Sequence, residues 1–146
     1  MKFGTILVPT DFSATGDEAI AVAFQLALEQ ASRVILVHIV EGFAVPNPLY
    51  AHYSTTLSPH EHARIEEEVS TALADRVPVQ HRETLAWETA VATGDAAVEV
   101  ARIAQETGAS LIVMASHGRT GLKRLRLGSV AERILHLSAC SVMILR

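Results

Sequence analysis

A segment rich in glycine and basic residues carries the clearest chemical signal in the sequence. Nine residues separate Gly118 from Gly128, and Gly128 and Ser129 directly precede a helical pattern. A helix N-terminus presents unpaired N–H donors and partial positive charge, and a glycine beside it lets an anion approach closely. Ser129 offers a hydroxyl donor, and three basic side chains of the same segment could neutralise charge, namely Lys123, Arg124 and Arg126. These residue types indicate a phosphate-binding loop.

A purely structural explanation exists for each of these residues taken singly. A Gly-Ser pair before a helix is an ordinary helix start, and clustered basic residues often form a solvated face. Their combination after an apolar run favours phosphate binding. The sequence contains no P-loop pattern with Gly-Lys-Ser or Gly-Lys-Thr, and no Gly-x-Gly-x-x-Gly follows a predicted strand. Phosphate would therefore be bound by a different motif.

Short apolar runs alternate with helical patterns along the whole chain. The runs are dense in Ile, Val and Leu, which is typical of strands covered on both faces, and they lie at residues 5–9, 33–40, 111–115 and 142–145. A partly exposed edge strand is predicted within residues 77–93. The predicted helices start at Thr15 with Glu18 as a capping box, at Ser58 with Pro59 and Glu61, at Asp95, and at Gly128 or Ser129. The last helix is expected to present Val130, Ile134 and Leu137 to the sheet.

This alternation predicts one α/β domain over residues 1–146, a doubly wound, Rossmann-like parallel sheet of five strands with helices on both faces. In such sheets, ligands bind beyond the carboxyl ends of the strands. Pro9, Thr10 and Asp11 follow the first strand, residues 39–41 end the second, and the glycine-rich segment follows the fourth. Residues 42–57 form a long irregular segment, either a lid or a surface excursion.

Composition excludes several classes of protein. The net charge of −4 argues against a nucleic-acid-binding or membrane-surface protein, and no apolar stretch approaches the length of a membrane helix. We therefore expect a cytoplasmic protein. Cys140 is the single cysteine, which suits a reducing compartment, and its apolar context favours a buried structural thiol over a reactive one.

Four motifs closely resemble those of the universal stress protein family. They are ILVPTDFS at residues 6–13, LVHI at 36–39, SHGRTGL at 116–122 and LGSVAE at 127–132. The ATP-binding branch of that family carries Gly-x-x-Gly, nine residues, and then Gly-Ser or Gly-Thr. This pattern aligns with Ala115, Gly118, Gly128 and Ser129, so alanine stands in place of the first glycine.

The resemblance implies an adenine nucleotide site, with ATP as the expected ligand and magnesium as its possible companion. Asp11 would contact ribose or a metal bridged to phosphate, and Ile39 would lie near the adenine. The remaining residues that the resemblance assigns to the site are Pro9, Thr10, Met114, Ala115, Gly118, Arg119, Gly128, Ser129 and Val130. The family also implies the strand order 3-2-1-4-5 and a homodimer in which the last strands pair, which would cover an apolar sheet edge.

Other polar residues carry weaker signals. His60 and His62 do not share a helix face, so a metal site there is not expected. His38 is interpreted as a hydrogen-bonded core histidine, His117 as a ligand contact, and Asp11 alternatively as the cap of a turn. No nucleophile with a paired base is evident. The sequence thus favours a regulatory ATP-binding protein, with a slow nucleotide hydrolase and a ligand-independent interaction protein as alternatives.

Overall fold

The computed structural model describes residues 1–41, 58–117 and 127–146. Within these ranges, strands and helices alternate, and a single 3-10 turn at Val79–His81 interrupts the pattern. The elements are β1 (Thr5–Pro9), α1 (Ala14–Gln30), β2 (Arg33–Val40), α2 (Pro59–Asp75), β3 (Trp87–Thr93), α3 (Ala96–Glu106), β4 (Leu111–Ala115), α4 (Ser129–Leu137) and β5 (Ser141–Leu145). The segment predicted as a lid or excursion, residues 42–57, lies outside the described residues.

The five strands form one parallel sheet in the order β3-β2-β1-β4-β5, as predicted. β1 is central, with Leu7 beside Ile35 of β2 on one side and Ile112 of β4 on the other. All three side chains are almost completely buried, because helices cover both faces of the sheet. The sheet thus brings the carboxyl ends of β1, β2 and β4 to one edge.

Alternation along β1 divides the core into two layers. Ile6 and Val8 pack with Phe24 of α1 and Leu73 of α2 on one face. On the other face, Leu7 belongs to a cluster with residues of α3 and α4, among them Val100 and Ile134. Side chains of a strand point alternately to opposite faces, so one apolar run supplies both layers.

Three of the predicted helix starts are confirmed, those of α2, α3 and α4, the last of which begins at Ser129 after the N-cap residue Gly128. Ser58 caps α2 in a reciprocal capping box, in which the Glu61 amide donates to Ser58 Oγ at 3.3 Å and the Ser58 amide donates to Glu61 Oε2 at 2.7 Å. Hydrogen bonds from Ser58 to the Glu61 carboxylate, first from the backbone amide and second from the side chain, lower the pKa of Glu61 below its ordinary value. Asp95 caps α3, since its Oδ1 accepts from the Val98 amide at 3.0 Å.

The predicted capping box of Thr15 and Glu18 is wrong. Ser13 is the N-cap of α1, with the extended backbone of a cap residue and an Oγ that accepts from the Gly16 amide at 3.2 Å. Thr15 already lies inside the helix and donates its hydroxyl to the carbonyl oxygen of His117 at 2.9 Å. The cap therefore lies two residues earlier, and Thr15 makes a tertiary contact instead.

The structure also corrects the extent of the edge strand and the buried face of α4. The edge strand is confined to Trp87–Thr93, because Pro78 fixes the backbone for a turn and Val79, 77% exposed, starts the 3-10 turn. In α4, Ala131 and Ile134 are buried, three residues apart on one face, whereas Val130 and Leu137 are exposed. Ile134 is therefore buried as predicted, but it is accompanied by Ala131 and not by Val130 or Leu137.

Candidate functional site

A cavity of about 460 Å³ opens at the carboxyl ends of β1, β2 and β4, on the face of the sheet that carries α3 and α4. Every predicted site residue that the structure describes lines it: Pro9, Thr10, Asp11, Ile39, Met114, Ala115, Gly128, Ser129 and Val130. Gly118 and Arg119 lie outside the described residues, as do the three basic residues that follow them. The fold therefore brings four separate parts of the sequence to one concave surface.

The loop between β1 and α1 forms one wall of the cavity. The Thr10 amide donates to the carbonyl oxygen of Val37 at 2.9 Å, which continues the sheet pairing by one residue. Thr10 Oγ1 accepts from the Phe12 amide at 3.1 Å, and Asp11 Oδ1 accepts from the Ser13 amide at 3.0 Å. Asp11 thus forms the turn into α1, as the alternative interpretation expected, and also lines the cavity.

Phe12 has a left-handed backbone, with φ of 64°, which a bulky residue adopts only when its surroundings hold it there. The centroid of its ring lies 4.8 Å from that of the His38 ring. The Arg76 guanidinium lies over the Phe12 ring, 5.4 Å from the ring centroid. His38 Nδ1 lies 2.8 Å from the carbonyl oxygen of Thr10. Because a carbonyl can only accept, this nitrogen carries the hydrogen. His38 is half-buried and hydrogen-bonded, and it supports the loop.

Gly16 is a cavity residue that the sequence analysis missed. A Cβ atom at this position would lie 2.7 Å from Thr10 Oγ1, so only glycine lets the first turn of α1 approach the loop this closely. The sequence feature that could have pointed to Gly16 is its position three residues after the N-cap Ser13. The lining residues outside the predicted site set also include polar ones, namely His38, Glu41, Ser116 and His117. The others are apolar positions of the elements themselves, such as Val37, Val100 and Ile134, and nothing in their type separates them from ordinary core residues.

The opposite wall joins the end of β4 to the start of α4. The Gly128 amide donates to the carbonyl oxygen of Ser116 at 2.9 Å, and Ser116 in turn donates its amide to Leu145 of β5 at 2.8 Å. Gly128 is the N-cap residue of α4 and has no side chain to cap the helix. His117 lines the cavity beside it, and its Nδ1 lies 2.9 Å from Ser116 Oγ. This wall places backbone N–H groups of a helix start at the cavity.

Charge is unevenly distributed around the cavity. Among the described lining residues, the charged side chains are Asp11 and Glu41, both near the ends of β1 and β2. Glu41 Oε1 accepts from the Ala96 amide at the start of α3 at 3.2 Å. Just outside, Arg133 of α4 donates to Asp95 Oδ2 at 2.7 Å, and this hydrogen bond is the main cause that lowers the pKa of Asp95.

Comparison with known proteins identifies the family. The model of the universal stress protein family matches residues 2–146. The chain belongs to this family. It is 30% identical over 151 residues to universal stress protein YxiE of Bacillus subtilis, and the match covers 99% of both chains.

Solved universal stress proteins share the fold. One in complex with cAMP superposes with a TM-score of 0.69 at 19% identity, covering 100% of this chain and 99% of the other. One from Archaeoglobus fulgidus in complex with dAMP gives a TM-score of 0.66 at 17% identity, with both chains covered completely. At these identities the likeness shows the fold alone.

The described part of this universal stress protein contains no group of three His, Cys, Asp or Glu side chains placed to hold a metal ion. It also contains no helix long and apolar enough to cross a membrane. Cys140 is half-buried rather than fully buried, and desolvation raises the pKa of its thiol. A raised thiol pKa disfavours the reactive thiolate, in keeping with a structural role.

Proposed function

We propose that this universal stress protein binds an adenine nucleotide, ATP or a close relative, in the cavity at the carboxyl ends of β1, β2 and β4. The observation that carries the proposal is the meeting, in one cavity of about 460 Å³, of an apolar wall and a helix N-terminus. Cavities of this size and mixed lining are typical of small-molecule sites.

The two ends of the cavity suit the two ends of a nucleotide. Ile39 and Val37 of β2 and Val100 of α3 give an apolar surface for a base. Ser129 and the amides that begin α4 suit phosphate oxygens, because a helix N-terminus attracts anions. In the sheet, β2 lies two strand spacings from β4, roughly 10 Å, so base and phosphate sites are separated enough for one nucleotide.

Family structures support the choice of an adenine nucleotide, since cAMP and dAMP occupy two of them. Gly118 and Arg119 are included in the proposed site on the family resemblance. Magnesium usually enters such sites with the phosphates and one or two carboxylates, and Asp11 is the carboxylate that we propose for it. We propose a regulatory role rather than rapid turnover, which multiple-turnover phosphate release tests directly.

One observation favours the ligand-independent alternative. A Cβ atom on Gly128 would lie 2.8 Å from the carbonyl oxygen of Ser116, so the fold itself needs glycine there whether or not phosphate binds. The presence of Gly128 is thus no argument for a ligand. The proposal stands on the cavity and on the family, and a test must address the cavity without altering Gly128.

Two exposed residues of α4 provide that test. Val130 lines the cavity and is 40% exposed, whereas Leu135, on the same helix and 47% exposed, does not line it. Val130→Trp should fill the entrance and weaken ATP binding at least tenfold in calorimetry with magnesium, while Leu135→Trp should bind like the parent. Circular dichroism checks that both variants fold. Equal ATP affinity in all three proteins, or no binding by the parent, would refute the proposed site.

We also propose a homodimer formed through β5. This strand is an outer strand of the sheet, and the residues Val142 to Leu145 that it contributes are apolar and only partly buried. An exposed apolar strand edge invites pairing with another strand, and a second copy of β5 would cover it. The cytoplasm remains the proposed compartment.

A further inference from the structure

The cavity is electrostatically polarised. Asp11 and Glu41 place two carboxylates at the ends of β1 and β2. The described lining residues at the end of β4 and the start of α4 carry no charged side chain, and there the helix N-terminus provides partial positive charge. A ligand with a single anionic end is therefore accommodated in one orientation, with that end at α4.

Glu41 is held in place at the negative end. Its Oε1 accepts from the Ala96 amide at 3.2 Å, while the same helix start is capped by Asp95 through the Val98 amide. The donors that begin α3 are thus engaged by carboxylates of the protein itself. α3 does not offer a second phosphate site, because Asp95 caps the helix and Glu41, a cavity residue, accepts from the Ala96 amide.

Among the described residues, Arg133 is a cation close enough to Glu41 to feel its charge. The pKa of Arg133 is raised mainly by the hydrogen bond to Asp95, with a smaller contribution from the charge of Glu41. Its guanidinium is paired with Asp95 at 2.7 Å. The three side chains together carry one net negative charge at this end of the cavity. Asp11 adds a second, so without a bound metal ion this end repels a phosphate group.

We propose that Glu41 is a specificity-determining residue that excludes adenine nucleotides carrying, in addition to the 5′-phosphate, a second and separate phosphate on the 2′ or 3′ hydroxyl of the ribose. The inference rests on the proposed nucleotide site. With the 5′-phosphates at the start of α4, the base and ribose extend towards β1 and β2, and a second phosphate on the ribose would lie near both carboxylates. An acidic residue after a strand favours free ribose hydroxyls, which donate hydrogen bonds to it, over a ribose phosphate.

The probes are adenosine 5′-phosphate and adenosine 3′,5′-bisphosphate, which differ by one phosphate. The parent should bind the first more tightly. Glu41→Gln keeps an oxygen to accept from the Ala96 amide but removes the charge, so it should reduce the preference by roughly threefold to tenfold, as expected for a partly screened charge pair a few ångströms apart. The matched control is Glu66→Gln, on the exposed face of α2 across the sheet.

Calorimetry at low and physiological salt measures both affinities for all three proteins, and circular dichroism confirms folding. The expected result is a smaller affinity ratio in Glu41→Gln alone, with the difference reduced by salt. An unchanged ratio in folded Glu41→Gln that still binds adenosine 5′-phosphate would overturn the role of Glu41 and leave the proposed function standing. Binding of neither these probes nor ATP to the parent would overturn the proposed function and this inference together.

Discussion

The amide nitrogen of Gly128 lies 2.9 Å from the carbonyl oxygen of Ser116, so the start of α4 is hydrogen-bonded directly to the residue that follows β4. This contact fixes the helix N-terminus at the cavity. It also explains the glycine, because a Cβ atom would lie 2.8 Å from the same oxygen, closer than real Cβ contacts allow. The backbone of Ser116 cannot move easily, since its own amide is bonded to Leu145.

Gly128→Ala should therefore destabilise the protein in the absence of any nucleotide. We expect a loss of about 1–3 kcal/mol in the free energy of unfolding, the usual cost of an overpacked site, measured by urea denaturation. Gly4→Ala is the matched control, because nothing lies within 4 Å of a Cβ there and its stability should change little. Equal stability of the two variants would show that Gly128 is not needed for packing.

The proposed dimer predicts a different response at each edge of the sheet. The parent should sediment as a dimer at micromolar concentration. Met143→Lys on β5 should shift it towards monomer or aggregate, because a charge would disturb the apolar edge. Thr93→Lys, at the exposed end of the other outer strand β3, should leave the dimer intact. A parent that sediments as a monomer at high micromolar concentration would contradict the proposal.

Acid should remove the contribution of Asp95 to stability. The hydrogen bonds from Arg133 and from the Val98 amide hold the pKa of Asp95 below its ordinary value of 3.8. Because the folded state lowers this pKa, the stabilisation is fully present above the unfolded value and is lost as pH falls through the folded one.

Asp95→Asn keeps a capping oxygen but removes the charge. The difference in unfolding free energy between parent and variant should shrink as pH falls from about 6 to about 3. Asp75→Asn, at the last residue of α2, controls for the loss of one carboxylate elsewhere. A difference that stays constant over this range would show that the Asp95 charge does not stabilise the fold.

The sequence was most informative where local chemistry decides the structure. The limits of β1, β2 and β4 follow from apolar runs that must be buried on both faces, and the start of α2 follows from a capping box formed within four residues. The cavity residues at 9–11 and 128–129 were predicted for a related reason, since polar residues and glycine follow such strands there. The family resemblance supplied the other described site residues, namely Ile39, Met114, Ala115 and Val130.

Long-range contacts decided what the sequence could not predict. Thr15 resembles a cap residue locally, yet its hydroxyl bonds to His117, 102 positions away, and Ser13 caps the helix. The need for glycine at position 16 arises from its close contact with Thr10, which forms only when the β1–α1 loop folds against the helix. Val130 was predicted to face the sheet, but the packing of α4 on the sheet buried Ala131 and left Val130 exposed.

The walls of the cavity come from distant parts of the chain, as the hydrogen bond between Thr15 and His117 already shows. During synthesis on the ribosome, the β1–α1 loop emerges early, whereas Gly128 and Ser129 follow only after three further strands. When a nascent chain has emerged from the ribosome only as far as β4, the wall formed by the β1–α1 loop is present. The opposite wall is incomplete, because α4 and its N-terminus are still missing. A nucleotide bound at the proposed site could therefore not guide the early steps of folding, and it would stabilise only chains whose α4 has already docked.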